Sequence, residues 1–101
     1  MPAVAKPWVY PGGKVEARSS GFTEETSDDI GKVVEWYSTH FPDLKWTETQ
    51  YSGSNRLLAR GGRDKKAGIC VGVRDRSVAG AQSAGPAGTK IRVFLGGEIQ
   101  Y

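Results

Sequence analysis

Side chains able to do catalysis are scarce in this 101-residue chain, which holds one histidine and one cysteine. His40 falls near the end of a helical pattern, about 80° from the centre of its apolar stripe at 100° per residue. It suits a position flanking the core at the negative end of the helix dipole. Cys70 lies in a strand-like segment beside no expected histidine, and an isolated strand cysteine reads as a small apolar filler. Asp28 and Asp29 are adjacent at a helix start, where capping accounts for them; general acid–base work needs two carboxylates facing one another across a cleft. The run Gly85-Pro86-Ala87-Gly88-Thr89-Lys90 sounds like a phosphate cradle. A P-loop, however, places Gly-Lys-Ser/Thr at the opening of a helix, and here Lys90 enters a strand. Gly61-Gly62-Arg63 reads as a charged turn whose backbone N–H groups could at most cradle an anion. These residues point to a non-enzymatic chain with no metal or cofactor expected.

One constellation is left. If Leu57 and Ala59 point inward with the Ile69 and Ile91 sets, then Arg56, Leu58, Arg60, Cys70, Arg74, Lys90, Arg92 and Phe94 share the outer face of a sheet. Five cations on one surface, with Phe94 and Leu58 for apolar contact, are loosely like the sheet platforms that stack bases and meet phosphates. An α+β domain must also solvate its open face, and Arg and Lys do that without any partner. The candidate anion- or partner-binding residues are therefore Arg56, Arg60, Arg74, Lys90, Arg92 and Phe94.

The element that must position them is a helix over 27–41, SDDIGKVVEWYSTHF. Ile30, Val33, Val34, Tyr37 and Phe41 recur at helical spacing and form one stripe, which a sheet must cover. Thr26 or Ser27 can cap its start, Thr26 with Asp29 approximates a capping box, and Asp28 and Asp29 suit the positive end of the dipole. Pro42 closes the helix, because the residue before a proline is pushed out of the α region. Trp36, about 120° off the stripe at this spacing, is either exposed as a protein-contact residue or covered by the N-terminal arm.

The remaining chain reads as strands and turns. Lys14 to Arg18 alternates and suits an edge strand; Phe22 to Glu25 returns beside it. Leu44 to Thr49 and Asn55 to Arg60 form a hairpin, with a charged turn over 61–66. Ile69, Val71 and Val73 alternate with Cys70, Gly72 and Arg74, and Ile91, Val93 and Leu95 alternate with Lys90, Arg92 and Phe94, giving two partnered strands with one apolar face each. The loop at 76–88, RSVAGAQSAGPAG, has little to bury and much backbone entropy to lose, so flexibility is expected there. Residues 98–101 form a tail expected to pair briefly at an edge. Before the first strand, residues 1–13 hold three prolines around Trp8 and Tyr10 and read as an extended N-terminal arm whose aromatics pack over an end of the core or serve as an exposed partner-binding arm.

Composition sets the outer bounds. The length allows a single domain with one core, able to fold without disulfides or metal. The net charge of +3 hides −3 over residues 1–50 and +6 over 51–101, so the later strands are basic and weakly favour anionic partners. No apolar run approaches the roughly 20 residues of a membrane span, and the N-terminus lacks a signal-like apolar stretch. A soluble chain is expected, cytoplasmic if the N-terminus is native and extracytoplasmic if a signal segment was removed.

The pattern YPGGKVEARSSG, then TSDDIGKVVEWYSTHFP, then a strand containing LKW, resembles small bacterial α+β domains of unassigned function. Those open with a Tyr-Pro-Gly-Ala-like turn, carry a Thr-Ser-Asp helix with Val-Val-x-x-Tyr, and occur often in exported proteins or lipoproteins. The likeness covers roughly residues 10–50, and Gly13 stands where alanine is usual. It implies a non-catalytic, extracytoplasmic domain and transfers no site residues.

Together these readings predict a two-layer α+β sandwich, with one principal helix on a mostly antiparallel sheet of about four to six strands. The expected function is that of an accessory or protein-interaction domain, partner unidentified; the alternative is a nucleic-acid or polyanion binder through the basic sheet face.

Overall fold

The computed structural model describes residues 1–53, 55–78 and 87–101. Six strands, β1 (Lys14–Arg18), β2 (Gly21–Thr26), β3 (Lys45–Tyr51), β4 (Leu57–Asp64), β5 (Ile69–Asp75) and β6 (Thr89–Leu95), form one antiparallel sheet in the order β1-β2-β6-β5-β4-β3. One α-helix among the described residues, α1 (Ile30–His40), crosses β4 and β5 on one side, which makes the expected two-layer α+β sandwich. None of the described helices is long and apolar enough to cross a membrane.

The helix begins later than its polar start suggests, because Asp29 supplies the cap: its carboxylate accepts the Lys32 N–H at 2.8 Å. Thr26 instead accepts the Asp28 N–H at 3.2 Å and ends β2. The helix closes at Phe41, whose N–H still reaches the Tyr37 carbonyl before Pro42. Ile30, Val33, Val34 and Tyr37 are buried on the sheet side, and Ile69, Val71, Val73, Ile91, Val93 and Phe22 meet them from below.

Ala3–Trp8 winds into a 3₁₀ helix, where an extended arm was expected. Proline's fixed φ suits 3₁₀ geometry as well as an extended chain, so the prolines did not choose between them. Burial did. Ala5 and Trp8 are buried against the core, and this short helix packs on β6. Trp8 stacks on Phe41 with centroids 3.6 Å apart, and its carbonyl accepts the Tyr37 hydroxyl at 2.6 Å. Tyr10 is buried edge-on to Trp36, so the arm covers that tryptophan.

The expected turn at 61–66 is also displaced. Gly61, Gly62 and Arg63 lie inside β4, and the reversal comes at 65–68, where Gly68 has φ +70°. Glycines read as punctuation are here places of close approach: a Cβ on Gly62 would stand 2.7 Å from the Lys45 carbonyl oxygen and 3.1 Å from the Trp46 ring. Of the loop at 76–88, Arg76–Val78 form a 3₁₀ turn and Arg76 N–H donates to the Gly88 carbonyl at 2.9 Å. The expectation of flexibility falls on 79–86, outside the described residues.

Candidate interaction face of the sheet

The side of the sheet turned away from α1 can be laid out from the strand register alone, because directly opposed residues share a face. One row runs Lys45, Arg63, Cys70, Phe94, Gly21, Arg18. The next runs Glu48, Gly61, Gly72, Arg92, Thr23, Glu16, and the third Gln50, Ala59, Arg74, Lys90, Glu25, Lys14.

Arg74, Lys90, Arg92 and Phe94 are thus together on the outer face, all half-buried. Arg74 opposes Lys90 directly, a like-charge pair that favours an anion nearby. Glu25 opposes Lys90 from the other side but also lies 3.7 Å from Arg76 Nε. The Nε atoms of Arg74 and Arg92 are buried and have no hydrogen-bond partner among the described residues.

Arg60 and Arg56 do not join them. In β4, Ala59 opposes Gln50 while Leu57 opposes Tyr51, which leaves Leu58 as an extra residue. This bulge reverses the alternation assumed from sequence. Ala59, expected inside, opposes Arg74 on the outer face; Arg60, expected outside, opposes Val73 on the helix side. There its guanidinium sits 5.1 Å from the Trp46 ring centroid, a cation–π contact, and Nε reaches Thr49 Oγ1 at 3.4 Å. Arg56 lies just before β4 and turns to Asp75, 2.7 Å away, and to the Ser77 hydroxyl. Burial raises the Asp75 carboxyl, but the Ser77 hydroxyl and N–H together with Arg56 outweigh it and hold the group below the usual carboxylate range.

The outer face also holds residues that sequence reasoning missed. Across Gly61 and Gly72 lie residues 98–101, expected to pair at an edge but laid over the middle of the sheet. A Cβ on Gly72 would overlap the Gln100 carbonyl oxygen, and one on Gly61 would overlap the Tyr101 hydroxyl and stand 2.7 Å from Ile99 Cγ2. Tyr101 donates its hydroxyl to Glu48 Oε1 at 2.7 Å; burial first, and then this carboxylate, raise the phenol above its ordinary range. Arg63 Nη1 donates to the Gly97 carbonyl at 2.6 Å and to Cys70 Sγ at 3.1 Å. The available signal was the period of 2 itself, which put Gly72 between Cys70 and Arg74 on the outer face; an interior strand glycine marks a close backbone approach.

The opposite layer holds a second polar feature. Glu24 faces the core beneath the N-terminal segment, opposite Ile91 and only 1 % exposed. Its Oε1 accepts the Tyr10 N–H at 2.8 Å, and Oε2 has no hydrogen-bond partner among the described residues. Burial pushes this carboxyl up to about 7, with the Tyr10 and Gly13 backbone N–H groups pulling the other way. Tyr10 in turn donates its hydroxyl to Asp28 at 2.6 Å, and burial, reinforced by Asp28, raises that phenol. His40 is exposed, stacked on Trp36, with Nδ1 2.9 Å from the Trp36 carbonyl. Among the described residues no three or more His, Cys, Asp or Glu cluster in a way that could hold a metal ion.

Comparison of the chain with family models, curated proteins and solved structures found no match.

Proposed function

We propose that this chain is a non-enzymatic protein-interaction domain that works through the outer face of its sheet. The observation that supports this reading is the seat already taken by residues 98–101: a stretch of polypeptide lies across Gly61 and Gly72. Phe94 and the cations Arg74, Lys90 and Arg92 stand beside that seat and supply apolar and charged contacts of the kind interfaces use.

The test is a photo-crosslinking amino acid placed at Phe94 in the native host. A discrete protein adduct that disappears with Arg92→Glu supports the reading. Adduct formation no different from that at Val15 on the far edge strand removes it.

A second reading, binding of a polyanion, is favoured by the direct opposition of Arg74 and Lys90 with Arg92 on the same face. Three cations meeting three phosphates of a single strand give log K against log salt a slope of about −2. Titration of a short oligonucleotide or heparin at low salt decides it, and absence of binding there ends it.

A further inference from the structure

The seat on the outer face has a shape that specifies an occupant. Gly61 and Gly72 oppose one another in β4 and β5, so this row has no side chain on either strand, and the adjoining rows pair one small residue with one arginine, Ala59 with Arg74 and Cys70 with Arg63. The flanking β6 positions carry Lys90, Arg92 and Phe94. The result is a trough with a floor of backbone and a wall of cations. Glycine weakens a strand interior, and two opposed glycines are explained when another backbone must lie directly on the sheet.

The chain's own occupant is lightly held. It leaves β6 through Gly96 and Gly97, both with positive φ (57° and 71°), which lets the chain double back over the sheet. Its backbone adopts no strand or helix, Glu98 and Gln100 are exposed, and Ile99 and Tyr101 are half-buried. It is fastened by the Tyr101 hydroxyl on Glu48, the Gly97 carbonyl on Arg63 and within 3.6 Å of Cys70 Sγ, the Gly96 N–H on the Gly68 carbonyl at 2.8 Å, Ile99 over Gly61 and the Gln100 backbone over Gly72. Among the described residues, 98–101 make no backbone–backbone hydrogen bond, and a segment outside the hydrogen-bonded ladder belongs to the part of a protein that opens locally at low free-energy cost.

Resting on the interaction-domain reading, we propose that this trough is a docking site for an extended partner segment of the type acidic residue, aliphatic, spacer, tyrosine, and that residues 98–101 occupy it in its absence. The acidic position is set by charge: Glu98 precedes the seated Ile99, and the trough is bordered by Arg63, Arg74 and Arg92. The tyrosine is set by Glu48, which accepts a phenolic hydroxyl from across Gly61. A partner segment with the same chemistry makes the same contacts and meets competition only from the tethered copy, so the resident residues lower its apparent affinity by the fraction of time they fill the trough.

The probe is a fluorescein-labelled Gly-Gly-Glu-Ile-Gln-Tyr peptide read by anisotropy against the full chain. The double variant Ile99→Asp with Tyr101→Ala, which frees the trough, should bind the peptide at least tenfold more tightly than the unaltered chain. A scrambled peptide should not bind. Adding Gly72→Val to the freed variant should abolish binding, and if that variant does not fold, the peptide should instead perturb the amide resonances of Gly61 and Gly72 in the freed chain. A folded, freed chain that ignores the peptide or binds an oligonucleotide in the peptide's place, or an unaltered chain that dimerises by exchanging residues 98–101, overturns the proposal. The crosslink at Phe94 does not require the trough. Peptide failure with that adduct present therefore refutes this inference alone, and absence of a discrete adduct at Phe94 in the otherwise unaltered chain refutes the broader reading.

Discussion

The two faces of the sheet are held by different physics. On the helix side, large side chains interdigitate: Tyr37 is fully buried among Trp8, Tyr10, Trp36 and Phe41, and Val71, Val73, Ile91 and Val93 have no exposed surface. On the outer side, small residues admit a backbone, and the cover consists of residues 98–101. Apolar burial scales with the area removed from water, so the first face carries most of the stability. The second is the face on which the docking proposal places an exchangeable cover.

The contrast is attacked hardest from the helix side. Tyr37→Ala removes the ring at the centre of the aromatic cluster and the donor to the Trp8 carbonyl. It should cost about 3–5 kcal/mol in urea unfolding. A loss below about 1 kcal/mol would mean that the inner face is not where stability resides.

Glu24 offers a test of the same face by pH. Its folded carboxyl is raised to about 7 from the ordinary 4.5, so the native state binds the proton more tightly than the unfolded chain. Stability is therefore highest below about pH 4.5 as far as this group is concerned, falls as pH rises to about 7, and is level above that. The drop is on the order of 3 kcal/mol. Glu24→Gln should flatten it, and a variant that keeps the slope assigns the pH dependence elsewhere.

Asp75 works in the opposite sense. Its folded carboxyl is held low, so its contribution is present above the unfolded value of 3.8 and is lost as pH falls through the folded one. Arg56 is about half exposed, so Arg56→Ala should cost only about 0.5–1 kcal/mol near neutral pH by urea unfolding. A larger loss would show that this pair anchors the end of β5.

The outer face should respond least. Gly72→Val alone should change unfolding free energy by less than about 1 kcal/mol, because valine's higher β-propensity offsets the weaker seating of residues 98–101, while Ile99 and Tyr101 become mobile in NMR relaxation. Destabilisation matching that of Tyr37→Ala would erase the distinction between the faces. Arg92→Glu should lie within about 0.5 kcal/mol of the parent and still abolish any oligonucleotide binding.

The fold was legible because its signals are local and periodic. The stripe of Ile30, Val33, Val34 and Tyr37 dictates a helix with one buried face, and the alternation in 69–75 and 89–95 dictates two strands with an apolar side. The candidate site was legible in part. Arg74, Lys90, Arg92 and Phe94 were assigned to one face correctly because β5 and β6 pair without interruption. Arg60 was misplaced because a period of 2 does not survive an inserted residue: Leu58 shifts the register by one, and the side chains after it change face. Arg56 was misplaced because it precedes β4 and is drawn to Asp75, a partner distant in sequence.

What the amino acids decided alone is the pair of amphipathic surfaces and the need to press them together, since burying apolar area depends on spacing along the chain. What the tertiary structure decided is where glycine acts as a floor and which arginines look outward. Both depend on contacts between residues far apart in sequence: Gly61 and Gly72 matter because Gln100 and Tyr101 lie on them, and Arg60 turns inward because Gln50 and Tyr51 select the register of its strand. No local pattern encodes a neighbour that only folding brings near.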